Sequence, residues 1–105
     1  MFKERRRAQR FPSSQAIVVS VGNQDEPWVG ILENLSITGA CLSTDRPIKL
    51  HSGVSLILVL PPEITHGQGL RVWCVGTVVR VVSEPKEGKS QIAVDFQKYH
   101  VVPEA

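Results

Sequence analysis

Six short runs rich in valine, isoleucine and leucine, each cut off by proline, glycine or asparagine, constrain this chain more than any other feature. Gln15–Gly22 (QAIVVSVG) is dense in β-branched residues, and Asn23-Gln24-Asp25-Glu26 supplies turn chemistry before Pro27–Glu33 (PWVGILE) runs back. Asn34–Gly39 interrupts, Ala40–Thr44 resumes, and Asp45-Arg46-Pro47 turns again. Gly53–Leu60 (GVSLILVL) is strongly apolar and stops at Pro61-Pro62. Leu70–Ser83 (LRVWCVGTVVRVVS) is long, and its Gly76 marks an expected bend or bulge. A hairpin loop at Glu84–Lys89 leads into Ser90–Phe96 (SQIAVDF), which alternates cleanly. Branched side chains suit a pleated surface, and no stretch holds a helical period of 3.6. The expected fold class is therefore all-β. With 105 residues there is material for one core only, so a small six-stranded antiparallel β-barrel is favoured, because closure removes exposed sheet edges. The expected organisation is a flexible basic N-terminal arm at 1–12, the barrel at 13–97 and a short C-terminal tail at 98–105, too short for a stable helix.

Hydrophobic residues make up 42% and charged ones 21%, the balance of an ordinary soluble domain rather than a disordered chain. No apolar run approaches the roughly 20 residues of a membrane-spanning helix. The charged start, Met1-Phe2-Lys3-Glu4-Arg5-Arg6-Arg7, is followed by no long apolar stretch, so a secretory signal is not expected and the cytoplasm is. Cys41 and Cys74 sit far apart inside apolar runs, as two buried small hydrophobes in a reducing compartment. Neither they nor the scattered His51, His66 and His100 show a metal-ligand spacing, and no cofactor is expected. Charge is uneven: the first eleven residues hold Lys3, Arg5, Arg6, Arg7 and Arg10 against Glu4, a net of +4 in a chain of +2, which leaves the body mildly acidic. A concentrated basic arm of this kind seeks phosphates.

Nucleophile elbows, Cys/His pairs, phosphate-cradling glycine loops and close carboxylate pairs are all missing from the sequence, so binding rather than catalysis is expected. Two motifs could carry it. Arg5-Arg6-Arg7-Ala8-Gln9-Arg10 is either a solubilising tail or a ligand grip, since guanidinium forks onto phosphate, pairs with the O6/N7 edge of guanine and stacks on purines. Asn34-Leu35-Ser36-Ile37-Thr38-Gly39 is either a plain turn or a polar ledge between strands. On an extended backbone Asn34 and Ser36 share a face, Leu35 points to the core, and Gly39 admits a ligand or the arm close to the backbone.

An Arg-Arg-x-x-x-Arg arm followed, after a strand pair, by Asn-x-Ser-x-x-Gly resembles the signature of the PilZ domain family. Val75-Gly76-Thr77-Val78-Val79-Arg80 is similar to that family's Gly-x-Val-x-Arg strand, and Ile92-Ala93-Val94-Asp95-Phe96 to its closing strand. The resemblance implies a six-stranded barrel that binds the second messenger cyclic di-GMP, with the arm folding over the ligand. Carried over, Arg6 and Arg10 grip phosphate and guanine edges, Arg5 adds a further guanidinium, Asn34 and Ser36 hydrogen-bond guanine, and Gly39 keeps the seat open. Arg80 and Trp73 are secondary candidates on the long strand. An arginine directly before Arg-x-x-x-Arg, here Arg5, also opens a stacked pair of ligand molecules per site. One departure is Asn34, where aspartate is commoner: an amide offers one oxygen where a carboxylate offers two, which would lower affinity.

The resulting expectation is a receptor whose arm orders on binding and presents a new surface to an effector protein. Its alternative is a PilZ-like protein-interaction module that does not bind cyclic di-GMP. A DNA- or RNA-binding barrel would need basic and aromatic residues spread over the strands, and only Trp28, Trp73 and Arg71 hint at that.

Overall fold

The computed structural model describes residues 9–22, 26–84 and 88–102. A two-residue strand β1 (Phe11–Pro12) precedes β2 (Ala16–Val21), β3 (Trp28–Leu35), β4 (Gly39–Thr44), β5 (Gly53–Leu60), β6 (Leu70–Glu84) and β7 (Lys89–Val101). The order is β3-β2-β5-β6-β7-β4, every pairing is antiparallel, and β4 returns to pair with β3, so six strands close into the expected barrel. A helical turn α1 (Pro62–Thr65) follows Pro61 and ends at His66, which donates its N–H to the Pro62 carbonyl at 2.7 Å and leaves the helix with a positive φ of 60°.

Period-two alternation fills the interior. Ile17 and Val19 from β2, Leu32 and Leu35 from β3, Leu42 from β4, Leu56 and Leu58 from β5, Val72, Cys74 and Val78 from β6, and Ile92 and Val94 from β7 are all buried. Outward positions run in transverse rows. Val29, Val18, Ile57, Trp73 and His100 are successive register partners across β3, β2, β5, β6 and β7, and each is exposed.

Three boundaries differ from the sequence reading. Leu35 and Asn34 pair with Ala40 and Cys41, so the interruption shrinks to Ser36–Thr38, because burying Leu35 draws β3 onward. β7 continues through Lys98–Val101, where a tail was expected, because the first half of β6 needs a partner: Val72 pairs with Val101 and Val75 with Lys98. Phe11 and Pro12, assigned to the arm, pair with Leu35 and Asn34. The rest of the expected arm, residues 1–8, lies outside the described residues, Arg5 and Arg6 included.

Candidate ligand-binding site

Two rows of outward residues converge where β3, β4, β7 and β6 meet. Asn34 pairs with Cys41, Cys41 with Ala93, and Ala93 with Arg80. One step along the strands, Gly39 pairs with Asp95 and Asp95 with Thr77. Neighbouring strands lie roughly 4.8 Å apart, so about 14 Å of sheet separates Asn34 from Arg80. Small residues, Cys41, Ala93 and Gly39, occupy the middle. Polar side chains thus stand around a shallow floor, in a cleft of about 150 Å³ bordered by Arg10, Asn34, Ser36, Thr38, Arg80 and Asp95.

Each polar residue is placed by local structure. Arg10 comes immediately before β1, and the Phe11–Leu35 and Pro12–Asn34 pairs hold it at the rim. A bulge in β3 between Leu32 and Asn34 keeps both Leu32 and Leu35 buried while Asn34 stays on the outer side. A second irregularity lies between the Val75–Lys98 and Gly76–Phe96 pairs, where the extra residue is Gln97 on β7 rather than the expected Gly76 on β6, and a third lies in β6 between Val78 and Arg80. The last one inserts Val79, so Val79 and Arg80 both face outward after buried Val78.

Ser36 is 7% exposed, and its hydroxyl is occupied. The Thr38 and Gly39 N–H groups each donate to Ser36 Oγ at 3.2 Å, and the Ser36 N–H donates to the Gly39 carbonyl at 2.9 Å. Ser36 therefore builds the turn. β7 braces the turn from behind: the Phe96 N–H donates to the Thr38 carbonyl at 2.9 Å, and the Tyr99 hydroxyl donates to the Ile37 carbonyl. Burial pushes the Tyr99 phenol up to about 12, so it remains a donor at neutral pH. Gly39 is also explained differently than the sequence suggested. A Cβ there would run into the Val94 carbonyl oxygen, so the close neighbour that glycine admits is the backbone of β7.

Cys41 lies at the centre of the floor. Burial and then the Glu33 carboxylate push its thiol up, while Arg80 and Arg10 pull against them. The net upward direction keeps the thiol neutral at physiological pH, and both guanidinium groups border the same cleft as Cys41. Sequence reasoning did not find Thr38, Cys41, Ala93 or Asp95. SQIAVDF does mark Ala93 and Asp95 as outward, but only the β4–β7 pairing brings them to Asn34 and Gly39. Trp73 does not join the cleft. Seven residues of extended chain, roughly 23 Å, separate it from Arg80, and its ring packs on His100 at 5.1 Å.

A larger cavity of about 690 Å³ lies towards the opposite end of β3, lined by Val21, Trp28, Arg46, Lys49 and Ser52 among others. There the Trp28 indole N–H donates to Thr44 Oγ1 at 2.8 Å, and Arg46 sits 5.2 Å over the Trp28 ring. Volume favours that cavity, but it holds none of the motif residues. The smaller cleft gathers two guanidiniums, an amide, two hydroxyls and a carboxylate, which is hydrogen-bonding equipment for a planar, anionic ligand. Among the described residues no group of three or more His, Cys, Asp or Glu could hold a metal ion, and no helix is long and apolar enough to cross a membrane.

The PilZ domain model matches residues 4–103, nearly the whole chain. The chain belongs to the PilZ domain family. Solved PilZ-like structures agree with the barrel. The inhibitor of motility MotI/DgrA of Bacillus subtilis superposes with a TM-score of 0.66 at 17% identity, over 90% of this chain and 43% of that one. The MrkH–c-di-GMP complex of K. pneumonia superposes with a TM-score of 0.59 at 18% identity, over 90% of this chain and 45% of that one. This PilZ chain thus spans less than half the length of either protein. No curated protein matches it.

Proposed function

We propose that this PilZ chain is a receptor for cyclic di-GMP, with the cleft as its seat and the arginine arm as its clamp. The observation that carries the reading is convergence: Arg10, Asn34, Ser36 and Arg80, from separate stretches of sequence, border one cleft. The family match and the ligand named in the MrkH complex support the same class of partner. At about 150 Å³ the cleft is smaller than the ~300–1,000 Å³ typical of small-molecule sites, so it seats one base and leaves the rest of the dinucleotide to be covered. Arg5 and Arg6 supply that cover in this reading. Asn34 presents an amide to the guanine edge, Arg10 and Arg80 serve O6/N7 or phosphate, and Ser36 and Gly39 hold the turn in shape. A second ligand molecule would stack on the first through Arg5. The role is that of an adaptor: no catalytic step is assigned, and the ordered arm signals to an effector protein in the cytoplasm.

The test is a calorimetric titration of cyclic di-GMP into the full chain and into Arg10→Ala. Loss of a charge-assisted contact lowers affinity by about tenfold or more, and the wild-type affinity falls as salt rises. Equal affinity in the two proteins removes the clamp. The alternative, a PilZ-like interaction module that takes no nucleotide, is favoured by the exposed apolar row Val29–Val18–Ile57–Trp73. Absence of any heat on titration would select it.

A further inference from the structure

Among the described residues Asp95 is the one carboxylate bordering the cleft, and the reading above gives it no task. Its place is fixed by register: it pairs with Gly39 on β4 and Thr77 on β6, and its side chain is exposed. Asp95, Gly39 and the Ser36–Thr38 turn border the same cleft. An acid in a seat for a dianion repels phosphate. It is favourable only if the part of the ligand that settles there presents donors.

The Watson–Crick edge of guanine does present donors, N1–H and N2–H₂, beside the acceptor O6. Asn34 brings one amide oxygen and one amide nitrogen, so it accepts from one donor position and gives to O6, but cannot take both donors in parallel. A carboxylate takes two parallel donors with its two oxygens, and bonds to an ionised acceptor are the stronger ones. Arg80 lies in the row of Cys41 and Ala93, whereas Asp95 lies one step further along with Gly39. The cleft therefore pairs a guanidinium for phosphate or the O6/N7 edge with a carboxylate, one step away, for the donor edge.

We propose that Asp95 is a specificity-determining residue, its carboxylate accepting from N2–H₂ of the seated guanine while Asn34 accepts N1–H and donates to O6. This rests on the cyclic di-GMP reading and assigns the missing acceptor within it. Asp95 supplies from β7 the second oxygen that Asn34 lacks.

The full chain and Asp95→Asn are titrated with cyclic di-GMP and with its inosine analogue, which keeps both phosphates, O6 and N1–H but lacks the 2-amino group. Thermal melts accompany both proteins to establish that this near-isosteric surface change leaves the fold intact. The wild type is expected to prefer cyclic di-GMP over the analogue by about tenfold, and Asp95→Asn to lose about tenfold on cyclic di-GMP while the preference collapses towards one. An equal loss for both ligands would assign Asp95 to anchoring an arginine instead, and unchanged or tighter binding would make it a bystander; each overturns the proposal while the receptor reading stands. If the wild type binds neither ligand, the receptor reading itself falls and takes the proposal with it.

Discussion

On the wall formed by β3, β4, β7 and β6 the outward row reads Asn34, Cys41, Ala93, Arg80; on the wall formed by β3, β2, β5 and β6 it reads Val29, Val18, Ile57, Trp73. Both walls enclose the same core, and both follow the same pleat. They differ in regularity. Register shifts occur in the β3–β4 and β6–β7 ladders, which border the cleft, and no shift interrupts the β2–β3, β2–β5 or β5–β6 pairings. A bulge disrupts the ladder and re-aims a side chain, so the cleft wall gives up some sheet regularity and gains placed polar groups. The apolar wall keeps its ladder and carries branched side chains. In this barrel the interior sets the fold, and the irregular half of the exterior sets the chemistry.

The most damaging way to break that contrast is at Gly39. Gly39→Val puts branched carbon against the Val94 carbonyl of β7. Overpacking of this kind costs about 1–3 kcal/mol or more, and here it also fills the floor of the cleft. The expected result is a lower urea midpoint together with complete loss of cyclic di-GMP binding in calorimetry. A protein that melts normally and still binds would show that the close β4–β7 contact is not needed for the seat.

The two cysteines sharpen the same contrast, one on each wall. Burial pushes Cys74, beneath the regular wall, up to about 12 from 9.0; Cys41, in the cleft, is raised too, but against the pull of Arg80 and Arg10. A disulfide reagent should therefore react with Cys41 well before Cys74 in the folded protein, and cyclic di-GMP should protect Cys41 alone. The sign for stability follows from linkage. The folded thiol of Cys74 holds its proton where the unfolded one has lost it, so its contribution is fully present below pH 9 and is lost as pH rises towards about 12. Stability falls by at most about 1.4 kcal/mol per pH unit from this one proton, and urea melts between pH 8 and roughly 11 on wild type and Cys74→Ala measure it. Parallel curves for the two proteins would remove Cys74 as the cause.

The regular wall was far more legible in the sequence than the bulged one. Runs such as QAIVVSVG and GVSLILVL declare strands by branching and alternation, whereas Leu35 points inward, as expected, only because a bulge follows Leu32. Alternation fails at Arg80: counted from buried Val78 it belongs inside, and only the inserted Val79 turns it outward. Gly76 lies opposite a bulge whose extra residue is Gln97 on β7, and no glycine marks the one at Val79. Asp95 was readable as an outward residue, yet its neighbours Gly39 and Thr77 are distant in sequence and are brought to it by pairing alone. Lys98–Val101 lacks any clear pattern and is strand because Val72–Val75 would otherwise be an unpaired edge. Trp73 and Arg80 share a strand, which made them look equivalent; distance along that strand separates them.

The smallest expected effect is the one that tests whether the two walls are independent. Val18 sits mid-row on the apolar wall, 37% exposed, between Val29 and Ile57. Val18→Thr keeps the branching and the strand preference and replaces one exposed methyl with a hydroxyl, a surface change that falls within about 0.5 kcal/mol. Stability by urea melt should move no further than that, and cyclic di-GMP affinity should stay within about twofold, since sites that share no partners behave additively. A clear loss of binding in Val18→Thr would mean that the regular wall transmits strain to the bulged one through the core. The exterior could then no longer be divided into a half that scaffolds and a half that recognises.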